Sequence, residues 1–360
     1  MNKRHFLKAL GLGSLALMEP GISIAGNRDE EKKPKAPVRH RIWINPSEKD
    51  TDAELKQRYA EYRATGIGVI YFEEDSERHF RAAKSAGMEA HRWFWTMNRN
   101  EPELREKHPE LFSVNRKGES CADKPPYVGY YRFLCPNQPG TLQYLKSIAE
   151  EQVAKDYIDG LHLDYVRFVD VILPVNLWAK YNIDQSKELP EYDFCYCKTC
   201  RDKYAAVYGK DPLEMAHPDQ SPSWRKFRYD SITNIVRNLS EVAHAKKKPI
   251  TAAVFPTPEI AKRIVRQDWT NWPLDAVCPM IYHGFYNENV QWIGDAVAEG
   301  VNALKGKFPL YAGLFLPDFH GNNDDIRKAI RLAIDNGAAG VSIFGSVNSQ
   351  LLAILRETAG

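Results

Sequence analysis

Two stretches of this chain carry residue types and spacings that could do chemistry. The first is Asp159-Gly160-Leu161-His162-Leu163-Asp164-Tyr165-Val166-Arg167-Phe168. It reads as a short buried strand interrupted by an imidazole, a carboxylate and a guanidinium. Side chains alternate across a strand, so His162 and Asp164 share one face. If that face points into a barrel, the acid and the imidazole are carried to the barrel's rim. An unpaired buried carboxylate is costly, and Arg167 is close enough in sequence to be its partner. The same residues could instead form a structural Asp–Arg pair closing a loop. The second stretch is Cys195-x-Cys197-x-x-Cys200. Three thiolates on one tight turn can share a tetrahedral zinc ion if a fourth ligand closes the site. Cys135 and Cys121, from an earlier connection, are the candidates for it. Disulfides are the alternative if the protein is exported, and in either case the role is structural. Cys278 falls in an expected strand and reads as a small buried hydrophobe.

The elements that must position these groups alternate between short apolar runs and helical stretches, the signature of an α/β fold with parallel strands. Strands are expected at 41–44, 68–72, 89–95, 160–164, 250–255, 276–282, 310–315 and 340–344. Helices are expected over 52–65, 77–86, 141–155 and 224–245, the first capped by Thr51 or Asp52. Eight such strands predict a (β/α)8 TIM barrel. The connection from 98 to 139 is too long for a plain loop, and an insertion over about 170–222 carries the cysteine triplet. A doubly wound sheet is the competitor, but no Gly-x-Gly-x-x-Gly follows the first strand. The chain has 360 residues, 43% of them hydrophobic, and a net charge of +2. That suffices for one large core and offers no basic stripe for nucleic acid.

The N-terminus reads as an export signal over residues 1–25. Lys3 and Arg4 precede an apolar run from Ala9 to Met18, and Ser23-Ile24-Ala25 supplies a small-x-small cleavage site. The Lys3-Arg4-x-Phe6-Leu7-Lys8 pattern resembles a twin-arginine signal with Lys in the first place, so both export routes stay open. Residues 26–38 are charged and Pro-containing and read as a flexible leader. The barrel is expected to occupy 39–360. No Cys follows the cleavage site, which argues against a lipid anchor, and no apolar run is long enough to span a bilayer. The expectation is therefore a periplasmic or secreted protein.

Several phrases resemble the family-10-like, glycoside-hydrolase-related barrels of bacteria. They are Gly160 to Phe168, then Gln267-Asp268-Trp269-x-x-Trp272 followed by Asp275-Ala276-Val277-Cys278-Pro279-Met280-Ile281-Tyr282, and the start His40-Arg41-Ile42-Trp43. The resemblance implies a TIM barrel, carbohydrate substrates and an exported location. The cysteine triplet resembles that of glycoside hydrolase family 42, where it binds structural zinc with one earlier Cys. The metal ligands this implies are Cys195, Cys197 and Cys200 with one earlier Cys, for which Cys135 is taken. No cofactor is expected for catalysis.

Glycoside cleavage needs two carboxyls across the scissile bond, about 5–5.5 Å apart for retention and about 6.5–9.5 Å apart for inversion. Barrel sites gather at the C-terminal strand ends. The acids expected there are Glu73, Glu74, Asp75, Asp164, Glu259, Asp268 and Asp318. The resemblance makes Asp164 the nucleophile, kept ionised by Arg167. Glu259 is the favoured acid/base, and Glu73, on the same strand face as Tyr71, is the runner-up. Each has a structural counterpart: Glu259 as a first-turn helix acid, Glu73 to Asp75, Asp268 and Asp318 as caps, and His162 as a core histidine. Substrate contacts are expected from His162, Arg167, Tyr282, His283, Trp43, Trp95, Asp268 and Trp269. Three rivals are a metal-dependent hydrolase using His91, His162 and His283, a non-catalytic carbohydrate-binding barrel, and a cell-surface scaffold with no deep pocket.

Overall fold

The computed structural model describes residues 39–359. The expected export signal and the leader lie outside the described residues. Eight strands follow in chain order: β1 (His40–Ile44), β2 (Ile67–Phe72), β3 (Glu89–Trp95), β4 (Gly160–Asp164), β5 (Ile250–Val254), β6 (Ala276–Pro279), β7 (Tyr311–Phe315) and β8 (Gly340–Phe344). All the ladders are parallel, in the order β6-β5-β4-β3-β2-β1-β8-β7. Bridges Val277–Leu310 and Met280–Gly313 join the two outer strands, so the sheet meets itself. This is the expected (β/α)8 barrel. The seam needs a glycine: a Cβ at Gly313 would lie 2.6 Å from the Pro279 carbonyl oxygen.

The strands read as near-continuous apolar runs because both of their faces are covered. Helices such as Asp52–Ala64, Glu77–Ser85, Pro139–Ala154 and Pro222–Ala245 pack outside. The first is capped by Thr51 in a reciprocal box with Glu54. β6 is shorter than expected, because the chain leaves the ladder after Pro279 and reaches a 3-10 turn at His283–Tyr286.

Inside the barrel, alternate residues of each strand converge. Trp43, Val69, Tyr71, Trp93, Ala253 and Cys278 form one apolar cluster. Beneath it runs a polar chain. The Trp43 indole N–H donates to His162 Nε2 at 2.8 Å, and His162 Nδ1 meets Thr251 Oγ1 at 2.7 Å. An indole can only donate, so Nε2 must accept and the ring is neutral. Burial accordingly pushes the His162 pKa well down. Tyr71 stacks on this ring at 3.6 Å, and Arg41 bonds to the Tyr71 hydroxyl. Cys278, expected to be apolar filler, accepts from Ser342 Oγ at 3.3 Å. The interior is thus filled, and the barrel opens only above this layer.

Two long connections cover the C-terminal strand ends. The one between β3 and β4 holds a short helix, Pro102–Lys107. The insertion between β4 and β5 holds the helix Lys198–Tyr208, which begins directly after Cys197. The two are pinned together: Tyr196 N–H donates to the Val114 carbonyl at 2.7 Å, and Tyr127 stacks on Tyr192 at 4.3 Å.

Candidate active site

The floor of the barrel mouth is a cavity of about 460 Å³. Its polar lining is Glu73, Asp164, Arg167, Asp170, Asn45 and Tyr282, and much of the rest is aromatic, including Trp43, Trp93, Trp95 and Tyr131.

Asp164 is the last residue of β4, where the strand delivers it to the rim. Its Oδ2 accepts from the Trp93 indole at 3.0 Å, and its Oδ1 accepts from the Tyr165 N–H at 2.6 Å. Tyr165 follows with φ at +47°, a left-handed conformation that costs a non-glycine residue about 1–2 kcal/mol. Such strain persists where the surroundings over-determine it, often at functional sites. Burial raises the Asp164 pKa, and the two N–H donors only partly oppose it. Glu73 sits one residue beyond β2, on the inward parity of Tyr71. Its pKa is also raised, first by burial and next by the charge of Asp164. These two acids therefore face one cavity and feel one another. The Trp95 indole N–H comes near enough to Glu73 to oppose that rise, yet it closes no full hydrogen bond.

Arg167 does not pair with Asp164. It binds Asp170 Oδ2 at 2.7 Å and sits among the rings of Tyr131, Phe133, Tyr165 and Phe255. Asp164 feels it only through space, as a minor downward influence. A closer acid, three residues further on, has taken the guanidinium.

Other expected site residues lie elsewhere. Glu259 is exposed in the first turn of the helix Pro258–Val265 and does not line the cavity. The loop after β5 runs outward before that helix starts. Asp268 is tied to Lys262 at 2.9 Å and to Asn271. Trp269 is fully buried, packed near Gly300 in the outer helical layer. His283 lies beside Asp318, 3.9 Å away, under Phe319, and Asp318 itself accepts from the Gly284 N–H at 3.0 Å. Asp75 is held by Lys155 and Tyr157. His162 lies below the cavity, with both ring nitrogens engaged. Trp43, Trp95, Arg167 and Tyr282 do line it. The three histidines of the metal-hydrolase reading do not converge: His91 turns to Glu89, His162 to Trp43 and Thr251, and His283 to Asp318.

Sequence reasoning missed Trp93, Asp170 and Asn45. Trp93 was within reach, since it lies two residues from Trp95 on the same face of β3. Asp170 and Asn45 gave no local signal.

A second cluster lies in the covering loops. The sulfurs of Cys135, Cys195, Cys197 and Cys200 all fall within 4.8 Å of one another, and all four residues are buried. Cys135 Sγ is 3.5 Å from Cys197 and 3.3 Å from Cys200. A zinc ion about 2.3 Å from each of four thiolates spaces the sulfurs by roughly 3.8 Å, so the donor set fits a tetrahedral soft ion. All six cysteines are free thiols, and each of the four faces several sulfurs rather than one. Outer donors are present too: Val114 N–H reaches Cys195 at 3.4 Å and Asn137 reaches Cys200 at 3.3 Å. Cys121 is buried apart from the quartet. Among the described residues this is the one group of three or more potential metal ligands.

The family model described as glycosyl hydrolase-like 10 matches residues 78–303. That span holds β3 to β6, Asp164 and the four cysteines, and it begins just after Glu73. Among solved structures, the chain is similar to the PgaB (BpsB) glycoside hydrolase domain from Bordetella bronchiseptica, with a TM-score of 0.68 at 14% identity over 90% of this chain and 99% of that one. It is similar to the catalytic domain of a beta-amylase from Paenibacillus polymyxa, with a TM-score of 0.59 at 11% identity over 89% and 98%. It is also similar to a beta-galactosidase from Marinomonas ef1, with a TM-score of 0.58 at 10% identity over 89% of this chain and 59% of that one. At such identities the likeness is one of fold. No curated protein matches the sequence.

Proposed function

Because the chain belongs to the glycosyl hydrolase-like 10 family, we propose that it hydrolyses glycosidic bonds in oligo- or polysaccharides, using Asp164 and Glu73 as its two carboxyls. The observation that carries this reading is their meeting in one cavity, with the charge of Asp164 raising the pKa of Glu73. Two interacting acids titrate as a pair. Asp164 holds two N–H donors, which favour its ionised form over that of Glu73. Glu73 therefore keeps the proton and gives it to the leaving oxygen. Asp164 keeps the charge and faces the electron-poor sugar carbon, directly as nucleophile or through a water. The aromatic walls hold the sugar and exclude solvent, while the Arg167–Asp170 pair offers hydroxyl contacts.

Incubating the purified protein with oligosaccharides of plant, host and bacterial origin, and measuring released reducing ends, tests this. Hydrolysis abolished by Asp164→Asn supports it. Undiminished activity in that variant removes it. A protein that binds sugars without cleaving any would support the non-catalytic reading instead.

The cysteine quartet is proposed to bind a structural zinc, supported by four converging buried sulfurs. Cys135 comes from the β3–β4 connection and the other three from the insertion. The ion would staple together the loops that carry Tyr131 and Asp170 to the cavity. Metal analysis of the purified protein is the test. Export is proposed from the N-terminal segment, and no helix among the described residues is long and apolar enough to cross a membrane. Finding the protein in the cytoplasm at its full mass would refute export.

A further inference from the structure

An aromatic ring on the β3–β4 connection stands next to the cavity lining at its β3 side. Tyr130 does not line the cavity and is 43% exposed, one of few large apolar side chains so open among the described residues. Its ring centroid lies 6.0 Å from that of Trp95 and 5.2 Å from that of Tyr131, and both of these do line the cavity. Trp95 in turn meets Tyr165, next to Asp164, at 4.6 Å. A continuous row of rings thus runs from the acid at the strand end out to the surface.

The loop beneath Tyr130 is held firmly. The Tyr127 hydroxyl donates to the Asp170 carbonyl at 2.8 Å and accepts from Gln185 at 2.7 Å. Arg132 N–H donates to Asn98 Oδ1 at 2.9 Å. Tyr130 is therefore presented to solvent in a fixed place, rather than on a segment free to bury it. The Trp95 indole N–H, on the cavity side of this row and near Glu73, has no full hydrogen bond. A buried donor without a partner is costly unless something else accepts from it.

We propose that Tyr130 and the outer part of Trp95 form a further sugar subsite, so that the substrate is a glycan chain continuing from the cavity over the β3–β4 loop. One sugar ring lays its apolar face on Tyr130, and a hydroxyl of the neighbouring unit accepts from Trp95. A cavity of about 460 Å³ is of ordinary small-ligand size, so a longer chain must pass out of it, and the row of rings marks where. This rests on the glycan-binding reading of the cavity and adds a dependence on chain length.

The test measures affinity by calorimetry for cello-, chito- and manno-oligosaccharides of two to six units. It uses protein carrying Asp164→Asn, with and without Tyr130→Ala or Tyr130→Phe. An aromatic stacking contact corresponds to about three- to tenfold in affinity. Tyr130→Ala should lower the ratio of six-unit to two-unit affinity by that factor, and Tyr130→Phe should restore it. A ratio equal in all three proteins overturns the subsite, and so does failure of every series to bind. Length-dependent binding that needs Tyr130, in a protein whose Asp164 form cleaves none of the three series, would sink the hydrolase reading and leave the subsite standing.

Discussion

Burial pushes on the pKa of Asp193 and of Asp164 in the same direction, and a counter-charge in direct contact opposes it at only one of them. Asp193, in the insertion, is fully buried against Arg228, which is also fully buried. The Tyr196 hydroxyl donates to it at 2.6 Å. Burial alone would push its pKa up, but Arg228 and its neighbours hold it below the ordinary carboxylate range. Asp164, at the end of β4, has two N–H donors and no cation, because Arg167 is committed to Asp170. Its pKa is pushed up by burial and stays up. A buried acid given a full counter-charge fastens loops together. A buried acid denied one, and left facing an open cavity with a second acid nearby, is available for proton and bond chemistry.

The sharpest way to break this contrast is to replace each acid by its amide. Asp164→Asn should lower turnover by at least about 10³-fold, the range expected for a catalytic side chain, while leaving the unfolding temperature equal or higher. The sign follows from linkage: a carboxyl whose folded pKa is raised weakens the fold when ionised at neutral pH, and the amide removes that weakness. A large fall in unfolding temperature would show Asp164 to be structural. Asp193→Asn should do the opposite. It strands Arg228 without a counter-charge, and urea unfolding should show a loss of about 3–5 kcal/mol. In the native protein, the stability due to Asp193 is present at neutral pH and lost as pH falls through its depressed pKa.

Glu73→Gln should lower turnover by about 10²-fold. Native activity should decline as pH rises through the raised pKa of Glu73, because the proton is then lost, and the variant should lack that decline. A pH profile unchanged in shape would exclude Glu73 as the proton donor. The smallest expected effect on chemistry is that of Cys197→Ser. It should abolish the proposed zinc binding and lower the unfolding temperature by a few degrees. Turnover should be affected only through the looser cavity wall. Unaltered metal content would refute the quartet as the binding site.

Much of the architecture was legible beforehand. Alternating apolar runs and helical stretches placed all eight strands within a few residues, and the parity of β4 correctly put His162 and Asp164 on the inward face. Depth was not legible, so His162 proved to be a locked core ring rather than a cavity contact. Glu73 was ranked below Glu259, although its parity with Tyr71 already pointed inward. Glu259 follows a strand as Glu73 does, but it stands in the first turn of a helix that leads away from the ring. Trp269 and Asp268 looked placed for substrate but belong to the outer layer, where a Trp packs for the same apolar reasons that it would bind a sugar. Of the two cysteines weighed as the fourth member, Cys135 lies with the triplet and Cys121 does not.

Local periodicity is set by backbone geometry within a few residues of each position, so the strands, the helices, the inward face of β4 and the thiol-bearing turn could be read from the chain alone. The choice of partners could not. Which acid takes Arg167, which carboxyl meets Asp164 across the opening, and which ring is left uncovered at the mouth depend on the ring of strands closing and on two loops, far apart in sequence, packing together. Those contacts exist only once the chain is folded.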